Sequence, residues 1–79
     1  MTPFNERLKE VRKGRKKKQR EAADLLGIHV RTYQYYEGGS IEPDIAALIR
    51  LADYFDVSLD ILMGRYDWDD KTEEAERTN

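Results

Sequence analysis

The chain has 79 residues, enough for one small domain with a core of marginal size. It contains no cysteine, which excludes a disulfide framework and a thiolate metal site. The longest apolar run, five residues from Ile45 to Ile49, is far too short to cross a bilayer, and the N-terminus lacks the apolar stretch of a secretory signal. We therefore expect a cytoplasmic protein with no membrane contact and no cofactor.

The formal net charge of −2 conceals a difference between the two halves of the chain. Residues 1–40 carry ten basic and five acidic side chains, whereas residues 41–79 carry four basic and eleven acidic side chains. The near-neutral total argues against a general binder of polyanions, but the halves, at +5 and −7, differ sharply. The functional question is what a basic first half does beside an acidic second half.

The first predicted helix carries an apolar stripe. Phe4, Leu8 and Val11 stand at i, i+4 and i+7, which places them on one face of a helix. Gly14 and the run of four cations after it interrupt this pattern. The first helix is therefore expected to end near residue 14.

Two short helices are predicted next, with a tight turn between them. The first covers 19–26, and Gly27 after it suits the left-handed position that ends many helices. The second covers 29–37 and stops at the pair Gly38 and Gly39. Two short helices joined by a tight turn are the layout of a helix-turn-helix motif.

Two further helices are predicted in the second half of the chain. Asp44 is an N-cap candidate for a helix over 45–55, because its carboxylate can accept a bond from a free backbone N–H. Ser58 caps a fifth helix over 59–63, which Gly64 ends. No strand-like alternation and no internal repeat occur, so the predicted fold class is all-α.

The predicted domain covers residues 1–66 and is followed by a tail. Residues 67–79 carry six acidic side chains and few apolar ones, which is typical of a mobile acidic segment.

Many spaced positions between Phe4 and Gly64 fit one family pattern without gaps. They are Arg7-Leu-Lys-Glu-Val-Arg12, Gln19-Arg-Glu-Ala-Ala23, Leu26-Gly27-Ile28, Thr32-Tyr33, Tyr36-Glu37-Gly38-Gly39, Pro43, Leu51-Ala52 and Val57-Ser58-Leu59-Asp60. This pattern resembles the Cro/cI-type (XRE) helix-turn-helix family of bacterial and prophage repressors. The resemblance implies a compact, lambda-repressor-like domain of five helices, in which helices 2 and 3 form the motif. It also implies a transcriptional regulator that binds double-stranded DNA.

The resemblance assigns base reading to the third helix. The variable base-reading positions are Val30, Arg31, Gln34 and Tyr35. Arg31, Gln34 and Tyr35 stand at i, i+3 and i+4 and so share one face of the helix. Arginine can pair with two acceptors of guanine and glutamine with the edge of adenine, while Val30 suits a thymine methyl group.

Phosphate contacts are expected where helices 2 and 3 begin. The resemblance gives Gln19 a phosphate contact and a role in bracing the recognition helix, helped by the free N–H groups of the helix N-terminus. The complete predicted set is Lys17, Lys18, Gln19, Arg20, His29, Thr32 and Ser40. A lysine run is equally well explained as a solvated charge cluster, so both interpretations stay open for the lysines.

His29 departs from the family pattern, which has Ser or Thr as the N-cap of the recognition helix. A histidine there predicts a weaker cap, at a cost of about 1 kcal/mol. His29 is also the chain's single histidine, and since there is no cysteine, no metal site is expected.

Arg12 and Glu37 match the family positions of a partly buried ion pair that joins helix 1 to the end of helix 3. The alternative is an ordinary surface pair, which would contribute little. Among the neighbouring aromatic residues, Tyr33 and Tyr36 are expected in the core, each with a polar tip, and Tyr35 is expected to be exposed.

Several apolar and aromatic residues remain once the predicted core is filled. They are Ile49, Tyr54, Ile61, Met63, Tyr66 and Trp68. Scattered surface apolar residues are normal. However, a single small DNA-binding domain contacts few bases, and two-fold dimers bind palindromic pairs of half-sites. We therefore predict a homodimer interface around helix 5 and the start of the tail, and a repressor that binds a palindromic operator.

A second class of function stays open. Some antitoxins share this fold, and the acidic second half would suit a protein partner that is a toxin. An enzyme is not supported, because the sequence has no glycine-rich phosphate loop, no nucleophile beside a base and no metal-ligand cluster.

Overall fold

A computed structural model describes residues 2–68 of the chain. Its elements in this range are all helices, as the sequence predicts: α1 (Phe4–Gly14), α2 (Gln19–Leu26), α3 (Val30–Gly38), α4 (Ile45–Phe55) and α5 (Leu59–Leu62). Each predicted helix is confirmed, with differences of one residue at the ends of the third and fifth.

Side chains and one glycine set the helix ends. The Asp44 carboxylate accepts a hydrogen bond from the Ala47 N–H at 2.8 Å where α4 begins, and the Ser58 hydroxyl accepts one from the Ile61 N–H at 3.1 Å where α5 begins. Such caps satisfy backbone donors that the helix itself leaves free, and each contributes about 1 kcal/mol. Gly27 ends α2 with φ of +68°, a conformation that glycine adopts without steric cost.

The hydrophobic core draws on all five helices. Its buried members are Leu8, Val11, Ala22, Ala23, Tyr33, Tyr36, Leu51, Ala52, Phe55, Val57, Ile61 and Leu62. The small side chains of Ala22 and Ala23 allow close packing of α2, which lies against α3, while α1 packs behind α3. Tyr33 and Tyr36 are buried as predicted, with their rings edge to face at 6.1 Å between centroids. The recognition helix α3 thus packs against both α1 and α2.

A buried arginine ties the end of the described chain to α1. Arg7 donates from Nη1 to the carbonyl oxygens of Ile61 at 2.6 Å and Tyr66 at 2.8 Å. The Thr2 N–H donates to the Gly64 carbonyl at 3.2 Å. Gly64 has φ of +83°, and a Cβ on it would collide with the Thr2 carbonyl, so only glycine fits there. These contacts fix the segment after α5 in place.

Trp68 extends the packing beyond this point. Its side chain is half-buried against the core and lies over Gly14, where a Cβ would come within 2.9 Å of the ring atom Cζ3. The Arg15 guanidinium stands 5.6 Å from the centroid of the Trp68 ring. Asp67 and Trp68 belong to the segment predicted as a tail, and its remaining residues, 69–79, lie outside the described range.

Residues 2–68 contain neither a membrane-spanning helix nor a cluster of metal ligands. None of the helices combines the length and hydropathy that a membrane crossing requires. No three side chains among histidine, cysteine, aspartate and glutamate in this range come together as metal ligands.

Candidate nucleic-acid interface

His29 caps the recognition helix α3 through its ring. The Nδ1 atom accepts a hydrogen bond from the Arg31 N–H at 3.1 Å, in the place where Ser or Thr would use a hydroxyl. Because an accepting Nδ1 carries no proton, the neutral ring holds its proton on Nε2. His29, which the sequence predicts to be a weaker cap, therefore makes the capping hydrogen bond. Its Nε2–H is a hydrogen-bond donor at the start of α3.

The predicted base-reading residues divide by exposure. Arg31, Gln34 and Tyr35 are exposed along one side of α3, as their spacing predicts. Val30 is half-buried and packs against the core, so only part of its side chain faces solvent. The Arg31 guanidinium has no hydrogen-bond or ionic partner among residues 2–68, and it is therefore available to a ligand.

Gln19 and Gln34 are linked across the motif. Gln19 donates from Nε2 to the Glu37 carboxylate at 3.1 Å, and Gln34 donates from Nε2 to the Gln19 Oε1 at 3.3 Å. The carboxylate accepts only, so it fixes which end of the Gln19 amide faces it, and the Gln19 oxygen then faces Gln34. The link fits the bracing role that the resemblance gives Gln19, but the sequence does not point to Gln34 as its partner, because the two residues are 15 positions apart on two helices.

Arg12 and Glu37 form a bidentate ion pair at the base of this network. Nε and Nη2 of Arg12 lie 2.6 and 3.1 Å from the two oxygens of Glu37. The guanidinium also donates from Nη1 to the Lys17 carbonyl at 3.0 Å. The Glu37 side chain is 4 % exposed and that of Arg12 11 %, so this is the buried form of the pair and not a surface one.

The network decides the charge state of Glu37. Burial by itself raises the pKa of the carboxyl group, but hydrogen bonds donated by Arg12 and Gln19, with the guanidinium charge, outweigh burial. The pKa of Glu37 is consequently held below its ordinary value. The same hydrogen bond raises the pKa of Arg12. Both groups stay charged at neutral pH.

Some basic side chains of the loop between α1 and α2 make contacts within the protein. Arg15 donates to the Phe55 carbonyl at 2.7 Å and to the Asp56 carbonyl at 3.1 Å, which anchors the end of α1 to the end of α4. The Lys17 ammonium lies 5.5 Å from the centroid of the Tyr54 ring. These two cations are therefore partly structural.

The other cations near this loop face solvent. Lys16, Lys18 and Arg20 are exposed, and no carboxylate among residues 2–68 forms an ion pair with them. The Lys18 N–H donates to the Glu21 carboxylate at 2.8 Å, which caps α2 from within the helix. Of the remaining predicted phosphate ligands, Thr32 is half-buried, and His29 and Ser40 are exposed.

The predicted dimer residues do not share one surface. Ile61 is 6 % exposed and packs in the core of the monomer. Its predicted place in a dimer interface is therefore corrected. Tyr54 lies half-buried under Lys17, and Trp68 covers Gly14. The set that remains exposed is Ile49, Met63 and Tyr66.

Other apolar residues on α4 and α5 are exposed as well. Ile45 is 72 % exposed, because the buried residues of α4 all lie in its second half. Ile45 and Ile49 are one turn apart on α4, and Leu59 and Met63 have the same spacing at α5. Leu48 and Met63 line one cavity, so α4 and the end of α5 approach each other there. We call Ile45, Ile49, Leu59 and Met63 the apolar face.

A short helix, a glycine turn and a second helix with an exposed polar side define a helix-turn-helix DNA-binding domain. A family model described as "Helix-turn-helix" matches residues 8–62. The chain belongs to this family, in its Cro/cI (XRE) branch, whose members are DNA-binding regulators and not enzymes.

Named relatives agree with this placement. The chain is 48 % identical over 60 residues to the HTH-type transcriptional regulator YqaE of Bacillus subtilis, covering 76 % of this chain and 52 % of that protein. It is 38 % identical over 70 residues to the cryptic phage CTXphi transcriptional repressor RstR of Vibrio cholerae, covering 89 % and 62 %. The chain thus spans about half to three fifths of their lengths.

A solved structure is similar as well. The crystal structure of a transcriptional regulator from Listeria innocua superposes with a TM-score of 0.72 at 38 % identity, covering 95 % of this chain and 72 % of that one.

Proposed function

We propose that this chain is a repressor that binds a palindromic operator as a homodimer, with α3 in the major groove. The observation that carries the proposal is the exposed side of α3, where Arg31, Gln34 and Tyr35 face solvent and Gln34 is joined through Gln19 to the buried Glu37. The name of the RstR relative, a phage transcriptional repressor, supports the choice of repressor.

The hydrogen-bond accounting on α3 supports base reading. Gln34 gives one amide N–H to Gln19, which leaves its second N–H and its Oε1 for a base edge. That pair of groups matches adenine N7 and N6. The Arg31 guanidinium matches guanine O6 and N7. Each such contact discriminates against a wrong base by about 1–3 kcal/mol.

Phosphate contact follows from the helix N-termini and the exposed cations. The first backbone N–H groups of α2 and α3 attract phosphate. Lys18 and Arg20 at α2 add positive charge, and the His29 Nε2–H adds a donor at α3. Thr32 and Ser40 carry hydroxyl groups beside this surface, and Gln19 keeps one free amide N–H. These contacts position the protein and carry no sequence information.

The apolar face supports a dimer with a second copy of the chain. It exposes four large aliphatic side chains on α4 and α5, while α3 carries the polar reading surface. Two copies joined there would present two α3 helices, and two-fold readers contact half-sites about 34–36 Å apart.

Selection of bound duplexes from random DNA tests the proposal. Recovery of a palindrome supports both the reading and the symmetry, whereas recovery of no common sequence overturns it. Sedimentation tests the dimer separately. Ile49→Asp should shift the chain to monomer, and Ile41→Asp, at an exposed isoleucine outside the apolar face, should not. If the two variants had the same association state in sedimentation, the proposed interface would be wrong.

A further inference from the structure

Two consecutive hydrogen bonds join the buried carboxylate of Glu37 to the exposed side of α3. Gln19 donates from Nε2 to Glu37 Oε1 at 3.1 Å, and Gln34 donates from Nε2 to Gln19 Oε1 at 3.3 Å. The Glu37 side chain is 4 % exposed, Gln19 is half-buried and Gln34 is exposed. The two bonds therefore run from inside the protein to the surface that carries the predicted base-reading residues.

The charge of Glu37 fixes the direction of both bonds. Paired with Arg12, the carboxylate accepts hydrogen bonds and has no proton to donate. Gln19 must therefore turn its Nε2 toward Glu37, because the opposite orientation would place its carbonyl oxygen against the carboxylate. The Gln19 oxygen then faces Gln34, and Gln34 must turn its own Nε2 toward Gln19.

The orientation of the Gln34 amide decides which purine it can pair with. With one N–H bound to Gln19, the amide presents one N–H donor and the Oε1 acceptor, which match N7 and N6 of adenine. The opposite orientation would present two N–H donors, which match the O6 and N7 acceptors of guanine. An amide that was free to turn could pair with either purine.

We propose that the hydrogen-bond chain from Glu37 through Gln19 makes Gln34 select adenine over guanine. Glu37 is thus a positioning residue for base specificity, although its carboxylate is buried away from the DNA surface. The inference rests on the proposed function, because it requires Gln34 to face a base edge in the major groove. It goes beyond a bracing role for Gln19, because bracing alone does not distinguish one purine from the other.

Two substitutions of Gln19 test the proposal and leave the Arg12–Glu37 ion pair in place. The side chain of Gln19→Leu neither donates nor accepts, so the Gln34 amide loses its fixed direction. The ammonium group of Gln19→Lys donates to Glu37 but accepts nothing, so it should draw the Gln34 oxygen toward itself and turn both Gln34 N–H groups toward the base.

The measurement is the ratio of affinities for duplexes with adenine or guanine at the base pair that Gln34 contacts. Gln34→Ala identifies this base pair, as the one at which that variant no longer discriminates. The intact chain should prefer adenine by at least about fivefold. Gln19→Leu should remove this preference, and Gln19→Lys should reverse it in favour of guanine. If Gln19 only braces α3 or binds phosphate, both variants will lose affinity for the two duplexes alike and still prefer adenine, and the proposal fails.

The base pair contacted by Arg31 separates failure of this inference from failure of the proposed function. Arg31→Ala identifies it in the same way, and both Gln19 variants should still discriminate there, at lower overall affinity. Discrimination there shows that a variant is folded and reads DNA, so a persistent preference for adenine at the Gln34 base pair would overturn the inference alone. A Gln34→Ala variant that discriminates at every base pair would also overturn it. An intact chain without base preference at any position would reject the proposed function as well.

Discussion

Glu37→Gln tests the buried network behind the recognition helix. The substitution keeps the size of the side chain but removes the charge that two nitrogens of Arg12 share. The Arg12 guanidinium then stays buried without a carboxylate partner. Its hydrogen bond to the Lys17 carbonyl is unchanged by the substitution. Breaking one partner of a buried pair costs about 3–5 kcal/mol. Because Arg12 keeps one bond, we expect about 3 kcal/mol.

Thermal unfolding followed by circular dichroism measures this loss. For a domain of this size, about 3 kcal/mol corresponds to a decrease in Tm of about 12–24 °C. Asp60→Asn is the matched control, because Asp60 faces Arg65 at 3.6 Å with both side chains exposed. An exposed pair contributes about 0–1 kcal/mol, so the control should hardly move. If the two substitutions cost the same, the network does not stabilise the motif.

The pH dependence of stability provides an independent test of the role of the Glu37 charge. The pKa of Glu37 is lower in the folded chain than in the unfolded chain, where it is about 4.3. Its contribution is therefore complete above that pH and is lost as the pH falls through the folded pKa. The difference in stability between the intact chain and Glu37→Gln should shrink as the solution is acidified below about pH 4. A constant difference would contradict the assignment.

Further substitutions follow from individual contacts. In urea titrations, Gly64→Ala should destabilise the fold by more than about 1 kcal/mol, because φ is positive at Gly64 and the Thr2 carbonyl fills the space that a Cβ would need. Gly38→Ala should instead stabilise the fold by about 0.4–1 kcal/mol, because a Cβ at Gly38 would lie in open space. His29→Ala should cost about 1 kcal/mol of stability and His29→Ser should restore it; equal values would mean that the ring makes no cap. Lys18→Ala should weaken binding to all duplexes alike and reduce the slope of log affinity against log salt by about 0.9, and an unaltered slope would leave the lysine as solvated charge.

The helix boundaries could be predicted because local chemistry sets them. Asp44 and Ser58 begin their helices through their own side chains, and Gly27 ends α2 through its backbone. None of these effects depends on the rest of the fold. The burial of Tyr33 and Tyr36 followed from spacing on a short helix in the same way.

Apart from the Arg12–Glu37 pair, which the family resemblance implies, contacts between distant segments could not be predicted. A charged residue in a helix is expected at the surface, yet Arg7 is buried because carbonyls from residues 61 and 66 surround its guanidinium. Ile61, expected at an interface, is buried, and Ile45 is 72 % exposed, because packing between α4 and α5 decides which aliphatic positions are covered. The link from Gln34 to Gln19 likewise exists only once α2 and α3 meet.

The central claim is that the exposed side of α3 reads bases, and a base-by-base affinity scan of Arg31→Ala tests it most directly. Arg31 suits this test because its side chain has no partner among residues 2–68, so its removal should leave the fold intact. The selected duplex is altered at one symmetric pair of positions at a time, and each version is titrated with the intact chain and with the variant. We expect the variant to lose about 1–3 kcal/mol at one pair of positions and to become indifferent to the base there, while it still discriminates elsewhere. An equal loss of affinity at every position, or no loss at all, would contradict the claim.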